Sequence, residues 1–171
     1  MITEQLINEL ITCPKKAVQA NRKRMIPVNR SLRNKIAIVS MDGSYTYDLF
    51  LRQSEEFMED FSVGLIWTNA AKYIGISKEI ILIRYQGPHD SGKPLGEDIH
   101  HDYHIHQISV DDVNERRYMR PRNKEISKDF SSFASALFSF VSYCGIIDLD
   151  KCIDYSQFNA PLPGQIDLFN Q

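Results

Sequence analysis

All five histidines of the chain, His89, His100, His101, His104 and His106, fall between residues 89 and 106. Imidazole both gives and takes a proton near neutral pH, and in its neutral form it is the commonest metal ligand. In His104-Ile105-His106 the alternation of a strand would aim both rings at one face and Ile105 at the other. Arg84 and Tyr85 close the preceding apolar run, so pairing of the two strands would bring a guanidinium and a phenol to the base of the loop that carries His89. The candidate catalytic set is therefore Arg84, Tyr85, His89, His104 and His106.

Three chemistries fit these residue types. In the first, no cofactor is needed: neutral imidazole takes a proton from an attacking 2′-hydroxyl, imidazolium protonates the leaving oxygen, and Arg84 stabilises the phosphorane. In the second, a divalent metal is held by His89, His104 and His106, with an open position where water is activated. In the third the histidines are hydrogen-bonded supports on a solvated face. Residue types alone leave all three open, and with them the identity of any metal.

The elements that must position these groups can be read from patterning. Residues 35–40 and 45–51 flank Asp42-Gly43, a dipeptide suited to a tight hairpin turn. Apolar runs over 62–68, 79–85 and 103–108 give three further strands, with Gly87 to Gly92 leaving the fourth and Gly96 to Asp102 returning to the fifth. Leu6, Ile7, Leu10 and Ile11 predict a helix over 3–12. Phe130, Phe133, Ala134, Leu137, Val141 and Cys144 predict a second, widened by Phe138 and Phe140 and stopped at Gly145. The expected architecture is α+β: a five-stranded, mainly antiparallel sheet with an N-terminal helix and a long Phe-rich C-terminal helix packed on it. One domain over 1–150, with a basic segment at 14–35 and no clear element there, would be followed by a tail over 151–171.

With 43% hydrophobic residues the chain can build one core, and no apolar run is long enough for a membrane span. Cys13, Cys144 and Cys152 are too few and too scattered for a disulfide framework or a zinc motif, so reduced thiols and a cytoplasmic setting are expected. The net charge of -2 hides an uneven distribution. Lys15, Lys16, Arg22, Lys23 and Arg24 form one basic patch and Arg116, Arg117 and Arg120 a second, both read as phosphate contacts for a nucleic acid, RNA among them.

The tail carries a separate signal. Two prolines and a glycine in Pro161-Leu162-Pro163-Gly164 discourage helix and strand, and Gln165, Ile166, Asp167, Leu168 and Phe169 follow. That pentapeptide resembles the clamp-binding motif of bacterial replication and repair proteins. The resemblance implies that the DNA sliding clamp is a partner, with Leu168 and Phe169 entering its pocket and Gln165 hydrogen-bonding at the mouth.

A wider resemblance rests on the Asp42-Gly43-Ser44 turn, the strand with Trp67, Leu82-Ile83-Arg84-Tyr85, Pro88-His89, and His100-His101 followed by His104 and His106. This order is similar to the TumE family of bacterial toxins, whose pattern runs Arg-Tyr-Asp, Pro-His and a closing His-x-His. A related group of bacterial and phage domains also shares the Leu10 to Lys16 start, the Ser40-x-Asp-Gly turn and the Phe-rich helix ending in Tyr143-Cys144, so that the likeness spans residues 6–147. It implies a toxin of a toxin–antitoxin or phage-conflict system acting on RNA and neutralised by a cognate antitoxin protein. Arg84, His89, His104 and His106 match its polar positions, whereas Gln86 stands where the pattern has an acid, leaving Asp90 or Asp102 to substitute. The expected function is a toxin-like, metal-independent endoribonuclease recruited to the sliding clamp. The alternative is a non-enzymatic clamp-binding protein that blocks replication by competing for the clamp pocket.

Overall fold

A computed structural model describes residues 1–90, 92, 94 and 96–158; the clamp-like pentapeptide lies outside them. The fold grows from the Asp42-Gly43 hairpin. Strands β3 (Ser31–Ser40) and β4 (Thr46–Ser54) pair antiparallel around it, with Gly43 at φ 74°. The Asp42 carboxylate fixes the turn by accepting from the Ser40 hydroxyl at 2.6 Å, the Ser44 N–H at 3.0 Å and the Ser44 hydroxyl at 2.8 Å. These bonds, that from Ser40 foremost, hold its carboxyl down to about 2.

The meander continues through β5 (Phe61–Trp67), β6 (Ile80–Gln86) and β7 (His104–Gln107), each antiparallel to the last. These are the strands expected from sequence, and the α+β class stands. The number five does not. Lys15–Ala20 (β1) pairs antiparallel with the far edge of β3, Ile26–Val28 (β2) pairs with the start of β3, Lys124–Ile126 (β8) extends beyond β7, and Ile146–Ile147 (β9) lies parallel to β1. The result is a mixed nine-stranded sheet in the order β8-β7-β6-β5-β4-β3-β1-β9, with β2 beside β3. The additional strands escape periodicity for a physical reason. β2 and β8 are exposed on both faces, β9 has two residues, and β1 is broken by a register shift between Ala17 and Gln19. Edge strands of that kind need no buried face, so no alternation marks them.

Helix α1 (Glu4–Thr12) starts where Thr3 accepts the N–H of Leu6 and buries Ile7, Leu10 and Ile11. Short helices α2 (Ala70–Ile74), α3 (Val110–Asn114) and α5 (Leu149–Cys152) tie off connections. The Phe-rich helix is α4 (Phe133–Tyr143), eleven residues long. It begins later than Phe130 because Ser132 and Ser135 form a reciprocal capping box. Phe133, Leu137 and Phe140 enter the core, while Phe138 turns outward and stacks on Tyr155. Each large apolar side chain so buried contributes roughly 1.5–3 kcal/mol. The folded body runs past residue 150: Ile153 is buried, Arg24 pairs with Asp154 at 2.8 Å, and Phe158 packs on Phe133. Among the described residues no helix is long and apolar enough to cross a membrane.

Both α1 and α4 cover one face of the sheet, where Leu49, Leu51, Val63, Leu65 and Tyr85 meet them. Strand alternation sends the intervening residues to the opposite, open face. Cross-strand register lines up Lys35, Phe50, Gly64, Arg84 and His106 there, with Arg33, Arg52, Ser62, Gln86 and His104 as the next row. That open face carries the candidate chemistry.

One predicted phosphate contact is removed by the fold. Lys15 is fully buried, and its ammonium donates to the carbonyls of Ile11 at 2.8 Å, Cys13 at 2.7 Å and Cys144 at 3.1 Å. It therefore joins the C-terminal ends of α1 and α4 rather than facing solvent.

Candidate functional site

The pairing of β6 with β7 sets Arg84 opposite His106 and Gln86 opposite His104, all on the open face. Tyr85, the residue between, points the other way. Its ring stacks on Phe130 at 5.0 Å and meets Phe140 edge-on, and burial raises its phenol above the ordinary value. Tyr85 thus belongs to the core and leaves the expected catalytic set. Consecutive residues of one strand cannot share a face.

His89 reaches the cluster from the turn after β6. Gly87, which begins that turn, is packed so closely that a Cβ there would overlap the carbonyl oxygen of Glu59 and crowd the Phe61 ring. Only glycine lets the chain pass this point, and the passage fixes where His89 starts. His100 comes from a 3₁₀ turn over Ile99–His101 that Asp98 caps through the His100 N–H at 3.1 Å. Five ring pairs among His89, His100, His104 and His106 then lie 4.9–5.8 Å apart between centroids.

The orientation of the rings says more than their proximity. Nδ1 of His89 lies 3.0 Å from the Gly87 carbonyl, Nδ1 of His104 2.8 Å from the Asp102 carbonyl, and Nδ1 of His106 3.2 Å from the Pro121 carbonyl. A carbonyl can only accept, so each Nδ1 carries a proton, and in the neutral ring Nε2 then holds the lone pair. Nε2 of His104 and of His106 are buried with no hydrogen-bond partner among the described residues. His100 Nδ1 stands 3.0 Å from Asp98 Oδ1, outside good hydrogen-bond alignment but close enough for a strong electrostatic contact. Backbone carbonyls or carboxylates behind Nδ1, which leave Nε2 available, are the kind of outer shell that orients histidine ligands around metals.

Three ring nitrogens, one each from His89, His100 and His104, lie within 4.8 Å of one another, close enough to hold a metal ion. His100 takes the position that the sequence reading gave to His106. His89 and His100 are half-buried and His104 is buried. Burial, reinforced by Arg84 and the neighbouring imidazoles, lowers His104 to about 4 and His106 to about 3. Both are therefore neutral at physiological pH, the form a metal requires. His100 is lowered as well, mainly by burial, against the opposing pull of Asp98.

Arg84 is half-buried, its Nε is buried with no hydrogen-bond partner, and no carboxylate among the described residues pairs with it. A guanidinium in that condition is a ready receptor for an oxyanion. The acid beside the cluster is Asp98, next to His100, which sequence reasoning did not single out. Gln86 donates to Ser62 at 3.2 Å. Asp90 accepts from the Gly92 N–H, and Asp102 contributes its main-chain oxygen. The one available signal was Asp98-x-His100, the spacing of a side-chain-capped turn.

The remaining basic residues disperse. Arg24 pairs with Asp154, Lys23 donates to the Lys151 carbonyl, and Arg117 holds the buried Asp112 and contacts Glu115. Lys16, Arg22, Arg116 and Arg120 are exposed. Compared with family models, curated proteins and solved structures, the chain matches none.

Proposed function

We propose that this protein is a metal-dependent phosphodiesterase acting on nucleic acid, a toxin-like endoribonuclease of a toxin–antitoxin or phage-conflict system. The observation that carries the reading is that one ring nitrogen each of His89, His100 and His104 lies within 4.8 Å of the others, while Nδ1 of His89 and of His104 is engaged from behind by a backbone carbonyl. Three nitrogen ligands with a remaining open position suit zinc or a similar divalent ion, and such an ion would supply an activated water at neutral pH.

The chain's own residues would do the rest. His89, His100 and His104 hold the ion, and Asp98 supplies negative charge beside His100. Arg84 takes the non-bridging oxygens of the scissile phosphate and meets the charge that grows on phosphorane formation. A water in the site would attack phosphorus and give its proton to His106 Nε2, the bond to the leaving oxygen would break, and that oxygen would take a proton from the resulting His106 imidazolium or from water. His106, opposite Arg84, would accept a hydrogen bond from the attacking water through its unpartnered Nε2; burial first and the Arg84 charge second depress its basicity, and a phosphate on Arg84 would offset the second.

A metal-free mechanism would need one imidazolium at the start, and burial works against that form in His104 and His106. RNA as the substrate and an antitoxin partner rest on the likeness to TumE toxins. The sliding clamp as a partner rests on Gln165 to Phe169, which would act as an address.

The test is cleavage of a labelled single-stranded RNA by the purified protein. Cleavage is expected to stop with a chelator, to return with added zinc or manganese, and to fall about 10²–10³-fold in Arg84→Met. Cleavage that persists in chelator would overturn the metal reading, and a folded protein that cleaves no polynucleotide would leave the clamp-competitor alternative.

A further inference from the structure

The histidine cluster does not end at its own edge. Beyond Arg84 the open face of the sheet forms a groove of about 800 Å³, walled by the 19–28 segment and floored by β3 to β6. Five of its lining residues are cationic (Arg22, Arg33, Lys35, Arg52 and Arg84) and none is acidic. Two of the five are matched from outside: Lys35 by Asp48 at 2.7 Å and Arg52 by Asp60 at 2.8 Å. Among the described residues no carboxylate pairs with Arg22, Arg33 or Arg84. The surplus positive charge is thus set into a concavity, where field lines are focused.

The spacing argues for a polyanion. Arg84 lies on β6, Arg52 on β4 and Arg33 on β3, a span of three strand intervals or about 15 Å. One phosphate cannot meet cations so far apart, whereas a chain of phosphates can. An aromatic ring stands among them. Phe50 is half-buried and lies over Gly64, where any Cβ would overlap the ring. A ring kept on a groove floor between cations is a platform for an unstacked base. Base pairs in a duplex are already stacked and would gain nothing from it.

We infer that this groove seats a single-stranded polynucleotide, with phosphates on Arg22, Arg33 and Arg84 and a base on Phe50, and leads the strand into the histidine cluster. The inference rests on the proposed nuclease reading for its purpose, but not for its test. Arg84 is the joint between the two regions: it lines the groove and stands opposite His106.

Fluorescence anisotropy with short labelled oligouridylate and oligothymidylate, in chelator so that nothing is cut, measures the groove alone. Saturable binding of either strand is expected, with affinity falling steeply as salt rises. Arg33→Glu and Arg22→Glu, both exposed and safe for folding, should each weaken binding roughly tenfold. Arg33→Gln should lower the slope of log K against log salt by about 1. Phe50→Leu, which keeps an apolar side chain over Gly64, should weaken binding about tenfold and leave that slope unchanged. Preference between the two strands identifies RNA or DNA as the natural ligand. No saturable binding, equal binding by Arg33→Glu, or tighter binding of a duplex of the same sequence would overturn the inference. Any of these would leave metal binding by the histidines untouched, and loss of the metal reading would likewise leave strand binding standing.

Discussion

Zinc added in excess to chelator-treated protein is expected to raise its melting temperature by roughly 8–16 °C, and His104→Ala to abolish the rise. The magnitude follows from linkage. A ligand at about a thousand times its dissociation constant stabilises the native state by about 4 kcal/mol, and each kcal/mol moves the transition of a chain this size by roughly 2–4 °C. The site is built to collect that energy. Nδ1 of His104 is committed to the Asp102 carbonyl, and Nε2 is buried without a partner, so an ion would satisfy an orphaned acceptor and no native hydrogen bond need be broken. Alanine at 104 removes the most buried of the three candidate ligands. Differential scanning calorimetry with and without zinc reads both effects. An equal rise in His104→Ala would show that zinc binds elsewhere.

The second large effect lies far from the site. Lys15→Met is expected to cost about 3 kcal/mol, lowering the melting temperature by roughly 6–12 °C. Lys15 has no exposed surface, and its ammonium is the shared donor for three carbonyls at the ends of α1 and α4. Those ends carry the unsatisfied acceptors and negative dipole of a helix terminus, which is why a buried cation is tolerated there. Its charge also lies 5.1 Å from the centre of the Tyr47 ring. Burial still lowers its pKa, so the stabilisation is a balance of desolvation against three charged hydrogen bonds. Methionine keeps the apolar stem and strands the carbonyls. Lys16→Met, one residue on and exposed, should change stability by no more than about 0.5 kcal/mol. Equal melting of the two variants in a thermal scan would refute this account of Lys15.

The contrast between Lys15 and His104 shows where a sequence is readable. The five-strand meander was legible because its strands bury one face and Asp42-Gly43 fixes the first register. The same alternation placed His104, His106 and Arg84 on one face. It also excludes Tyr85 from that face, a step the grouping of Arg84 with Tyr85 overlooked. His100 and Asp98 were not separable from their neighbours because a 3₁₀ turn, set by a capping side chain, decides where they point. Lys15 reads as surface charge until residues 129 positions apart meet around it. Arg24 and Lys23 look like phosphate contacts until the 151–154 segment folds back on them. Such long-range partners leave no local pattern. The groove is the same case in reverse: Arg22, Arg33, Arg52 and Arg84 are scattered in sequence and collected by the sheet.

The central claim is that His89, His100 and His104 hold one metal ion beside Arg84. Elemental analysis of the intact protein after equilibration with zinc and gel filtration tests it most directly. One equivalent of zinc per chain is expected in the wild type, with near-complete loss in a folded His104→Ala variant. No retained metal in the wild type, or the same content in both proteins, would contradict it.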